Sequence, residues 1–121
     1  MLLNIAAVGG TMAAAFLKSL KADGAKIKAL AGAEAQKLAT SIATIGELLK
    51  DGDIDQEEAE ALIEVQQAAT VAVFASLEGI GRVAARRATS AGLGSVTALV
   101  DGVIGIPLLG SLTQVAHVEA G

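Results

Sequence analysis

Six apolar residues, Ala31, Ala35, Leu38, Ile42, Ile45 and Leu49, recur at steps of 4, 3, 4, 3 and 4. That spacing keeps one face of an α-helix in line over about five turns. A strand cannot use it, because strand faces alternate every second residue. The pattern predicts a helix over about 25–50, with Lys28, Glu34, Lys37 and Glu47 off the seam. Ala35, Ala39 and Ala43 add a small-residue strip that lets another helix backbone come close.

Composition extends the helical expectation to the whole chain of 121 residues. Hydrophobic residues make up 53% of it and aromatics only 2%, so the apolar mass is Ala, Val, Leu and Ile. Such a chain favours helices and builds at most one domain, 1–121. So much apolar surface on so short a chain points to burial in a subunit interface or a bilayer. The absence of cysteine removes disulfides and thiolate metal sites. Met1–Leu17 is apolar without a preceding basic stretch, so no secretory leader is expected.

A first apolar helix is expected over about 1–20, with a break at Asp23-Gly24. After the 25–50 helix, Lys50-Asp51-Gly52-Asp53-Ile54 reads as a turn. Asp55 is a fitting N-cap with Glu58 three residues on, the spacing of a capping box. A second long helix is expected from there to about Thr89, with Leu62 and Ile63 inward. Its middle, Ala68–Leu77, is uncharged all round, which requires burial on every side. Ala68, Ala72 and Ser76 form another small-residue strip within it. The run 90–94, with Gly92 and Gly94, reads as a stop, followed by short helical segments that Pro107 interrupts. The expected fold is therefore all-α: an antiparallel hairpin of helices 25–50 and 55–89, an apolar N-terminal helix and short C-terminal helices.

Charge is sorted into zones along this chain. Residues 1–50, 51–64, 65–87 and 88–121 carry net charges of +3, −7, +2 and −2, giving −4 in all. Folding the hairpin at 51–54 gathers Asp51, Asp53, Asp55, Glu57 and Glu58 at one tip. Arg82, Arg86 and Arg87 then lie toward the opposite end, the base. These eight residues are the expected self-assembly contacts. Ala35, Ala39, Ala43, Ala68, Ala72 and Ser76 are the expected packing strips.

Candidate chemistry is thin. Asp51-Gly52-Asp53-Ile54-Asp55 starts like a calcium loop, but its sixth and twelfth positions hold Gln56 and Leu62 instead of Gly and Glu. Residues 79–84 match the letters of a dinucleotide fingerprint without a strand before them. His117 is the one histidine, too few for a histidine metal site, and it lacks a partner set for catalysis. Neither catalytic, cofactor-binding nor metal-binding residues are assigned, and no small-molecule substrate is implied. Net acidity and the lack of aromatics beside the arginines argue against nucleic acid.

The expected function is a structural subunit of a homomeric assembly, such as a filament, a shell or a virus-like particle. The partner is then a copy of the same chain. The alternative is a small membrane-associated or holin-like protein, suggested by the charge-free windows 1–17 and 102–118 and the stretch 65–77. Each falls short of the roughly 20 residues of a spanning helix.

Overall fold

Capping and glycine geometry set the bounds of four successive helices in the computed structural model, which describes residues 3–21 and 24–110. They are α1 (Ile5–Leu20), α2 (Ala25–Lys50), α3 (Gln56–Ala75) and α4 (Arg82–Ile104). No strand occurs among the described residues. The Asn4 side chain accepts a hydrogen bond from the Ala7 amide and so starts α1. The seam of α2 is buried throughout, as its spacing requires. Glu34 differs from expectation: it is 5% exposed and paired with Lys37 at 3.1 Å.

The turn at 51–55 and its capping box form as the sequence predicts. Asp55 accepts from the Glu58 amide at 2.8 Å, and Glu58 accepts from the Asp55 amide at 3.1 Å. Glu57 and Glu58 in the first turn also face the positive end of the helix dipole. A cap of this kind is worth about 1 kcal/mol.

The second long helix, expected over 55–89, is two helices. α3 ends at Ala75, where the Ser76 hydroxyl turns back to the Val73 carbonyl at 2.6 Å. Gly79 takes a left-handed φ of 84° and Gly81 caps α4, so the two glycines redirect the chain. The fingerprint-like run 79–84 is thus a turn and a helix start, preceded by a helix and not a strand. The stop expected at 90–94 does not occur either. α4 runs through it to Ile104, and Gly105 ends it at a φ of 81°.

Contacts define a four-helix ring with alternating directions. α1 packs on α2 and α4, and α3 packs more sparsely on the same two. The ring is closed across its diagonal by the two phenylalanines of the chain, Phe16 on α1 and Phe74 on α3. Their centroids lie 5.1 Å apart with the rings edge to face. Gly92 of α4 completes this cross-section, because a Cβ there would land on the Phe16 ring. Close helix approach, not chain termination, accounts for that glycine. Beyond α4, both Asp101 carboxylate oxygens accept 2.8 Å hydrogen bonds, from the Leu109 and Gly110 amides. They hold a helical turn at 108–110 whose Leu108 and Leu109 are buried. The expectations for Met1, Leu2, Asp23, residues 111–118, His117 and Glu119 lie outside the described residues.

Gly92→Ala is expected to destabilise the fold by about 1–3 kcal/mol through overpacking against Phe16. Gly9→Ala meets only the far end of the Gln36 side chain, which can swing aside. Thermal unfolding of both variants checks the contrast: a drop of several degrees for the first and a much smaller change for the second.

Candidate interaction surfaces

The alternating helix directions sort most of the charges into two ends of the bundle, with Lys50 at the acidic end and Glu78 at the basic end as exceptions. Lys18 on α1 and Lys21 at its C-cap follow Phe16, while Arg82, Arg86 and Arg87 precede Gly92 on the antiparallel α4. All five therefore lie on one side of the Phe16–Phe74–Gly92 cross-section. Lys26 and Lys28 join them from the first turns of α2. At the opposite end the α2–α3 turn presents Asp51, Asp53, Asp55, Glu57 and Glu58, all exposed. Glu60 and Glu64 follow on α3. Lys37–Glu34, within α2, is the one ion pair among the described residues, so no residue of either charged end is held in an ion pair.

The basic end carries three local compromises. Lys21 occupies a left-handed conformation, φ 55°, that glycine or asparagine would hold more cheaply. α2 and α4 begin on Gly24 and Gly81 with no side-chain cap. Their first turns carry Lys26, Lys28 and Arg82 where the dipole favours an anion. Each such cation costs a few tenths of a kcal/mol to about 1 kcal/mol.

The small-residue strips part company. Ala35 and Ala39 are fully buried and Ala43 half-buried, so that strip packs inside the bundle. Ala68, Ala72 and Ser76 are exposed, as is Ala69. The apolar middle of α3, expected to be covered on all sides, is covered on one. Ile63 points inward, but Leu62 is 43% exposed and Val65 63% exposed. Leu62, Val65, Ala69, Ala72 and Ser76 thus make an uncovered seam at steps of 3, 4, 3 and 4.

This seam borders an open groove of about 330 Å³ between α2 and α3, lined by Thr40, Thr44 and Leu48 opposite Leu62, Val65 and Gln66. The threonine hydroxyls donate to the carbonyls of Gln36 and Thr40, leaving their methyl groups available to the groove. Sequence reasoning missed the groove because it placed Leu62 inward and 68–77 under cover on every side, whereas Leu62 and Val65 are exposed.

No group of three or more metal-ligating side chains occurs among the described residues. None of the described helices is long and apolar enough to cross a membrane. Compared with protein families, curated protein sequences and solved structures, the chain finds no match in any of the three.

The two strips can be told apart by the same substitution. Ala39→Leu overfills a buried position and is expected to lower stability by about 1–3 kcal/mol. Ala72→Leu sits on the open face and is expected to leave the melting temperature within a degree or two. Calorimetry of both variants as dilute samples makes the comparison.

Proposed function

We propose that this protein is a non-enzymatic structural subunit that builds a homomeric assembly, the acidic end of one copy engaging the basic end of another. The observation that carries this reading is the separation of unpaired opposite charges to the two ends of the bundle. A monomer gains from that arrangement only the cap and dipole contacts at the start of α3. Exposed acids at the tip repel one another, and the cations of α2 and α4 oppose their helix dipoles. A second copy relieves both, since its tip brings carboxylates to uncapped helix starts that favour anions.

The exposed apolar seam of α3 supports the same reading. Contiguous exposed apolar surface marks protein contact sites. A filament, a shell or a virus-like particle are the assemblies that such a subunit builds.

Light scattering with size-exclusion chromatography tests the proposal. The wild type is expected to exceed its 12.0 kDa monomer mass at low salt. It should shift toward monomer near about 1 M salt, where screening acts within about 3 Å. Combined reversal of Arg82, Arg86 and Arg87 to Glu should do the same at low salt. Negative-stain microscopy then reports the form of the particles. A monomer at every concentration and ionic strength would sink the reading.

Lys21→Gly separates stability from association. Glycine relieves the left-handed strain, so unfolding should shift in favour of the variant by up to about 1 kcal/mol. Self-association should weaken because one basic-end charge is gone. A variant that associates as tightly as wild type would remove Lys21 from the contact.

A further inference from the structure

We infer that the exposed seam of α3 is covered by α3 of a second copy, running antiparallel about a two-fold axis near Ala69. The inference rests on the self-association reading and gives that contact a geometry. Side-chain size is its first support. Ala69 is the midpoint of the seam from Leu62 to Ser76. Antiparallel pairing about it sets Leu62 opposite the partner's Ser76, Val65 within one residue of the level of the partner's Ala72, and Ala69 opposite its own copy. Large side chains then meet small ones, and the smallest contact sits at the axis where the backbones come closest. Parallel pairing sets Leu62 on Leu62 and Ser76 on Ser76, holding the helices apart at one end and leaving a gap at the other.

Charge selects the same orientation independently. All four acids of α3, Glu57, Glu58, Glu60 and Glu64, lie in its N-terminal half, and the bases follow on α4. Glu58 and Glu57 are eleven and twelve residues before Ala69, or about 17–18 Å along the axis at roughly 1.5 Å per residue. Phe74 and Gly92 share the Phe16 cross-section, five residues past Ala69 on α3. Arg87 and Arg86 lie five and six residues farther out on α4, so they stand about 15–17 Å from the level of Ala69. A two-fold axis at Ala69 therefore brings each copy's arginines level with the other's Glu57 and Glu58. Parallel pairing brings acid to acid and base to base.

Both tip-to-base contacts of the pair then form at once in an isologous interface, so a filament or shell grows from this dimer only through other faces. Thr40 and Thr44 of α2 line the flank of the same seam, so the partner helix also covers the groove. Val83 and Leu99 on α4, 62% and 48% exposed, lie outside the α3 seam.

The chain has no cysteine, so single cysteines report the geometry cleanly. Ala69→Cys, Leu62→Cys and Ser76→Cys replace exposed residues, and circular dichroism confirms that each variant folds. After mild oxidation, or bridging with a short bis-maleimide, Ala69→Cys is expected to run as a covalent dimer on a non-reducing gel. Leu62→Cys alone should stay a monomer, because its two copies lie about 21 Å apart along the axis at roughly 1.5 Å per residue. A mixture of Leu62→Cys with Ser76→Cys should cross-link. Self-cross-linking of both Ala69→Cys and Leu62→Cys would show parallel pairing and overturn the inference. No cross-link from any variant, with the wild type still oligomeric by light scattering, would overturn the α3 pairing and leave self-association standing. A monomeric wild type would remove both.

Discussion

The packing of Phe16 against Phe74 is the contact on which the arrangement of the other helices depends. α1 and α3 are diagonal in the ring, and this edge-to-face pair joins them across it. Gly92 is small because α4 must pass the same ring at close range. A protein built otherwise from Ala, Val, Leu and Ile has many ways to slide one apolar helix along another. Two aromatic side chains against one glycine hold three helices at one level, because neither ring has an equivalent position one turn away. Aromatic pairs of this geometry add about 0.5–1.5 kcal/mol beyond the area they bury. That level also defines which charges fall at which end.

Much of this was legible in the residues. The seam of α2, the acidic turn and the capping box rest on interactions within three or four positions of one another, and local spacing reports such interactions directly. The all-α class follows from the same source. What was not legible depended on residues far apart in the chain. Gly92 and Gly94 look like a stop until Phe16 is known to lie against Gly92. Gly79 and Gly81 could have signalled the break between α3 and α4, since two glycines one residue apart seldom sit mid-helix without a packing reason. The uncharged stretch 68–77 hid the opposite error. Periodicity showed that the helix was apolar all round, and could not show which side its own chain would leave open. Glu34 belongs with these cases, because its burial follows from how the helices pack around α2.

Local cost and global arrangement disagree most at the basic end. The start of α3 keeps the local rules: a capping box, acids in the first turn and no base there. Along α2 and α4, the N-caps are bare glycine and the first turns carry cations. Departures of this kind cluster where a protein makes contact with something else, because selection for contact can tolerate a modest loss of stability. The two ends are mirror cases. The tip gathers charge that suits its own helix but repels itself, and the base gathers charge that opposes its own helices. Opposite charge brought from outside relieves either.

Sparse packing makes α3 the helix with most to gain from that relief. Inside the monomer it contacts α2 and α4 along one face only, and its Leu62 and Val65 remain in water. Burying apolar surface yields about 25 cal/mol per Å². An isolated chain therefore forgoes stabilisation at α3 that a partner restores. Anything that binds the folded chain and not the unfolded one raises its apparent stability with concentration. On the proposed reading, folding of α3 and association of the chain are then coupled. The face that stays bare in the monomer is the one whose burial favours the assembled form. The acids that repel at the tip also oppose a parallel register, so one set of charges both limits the stability of the single chain and specifies how two chains meet.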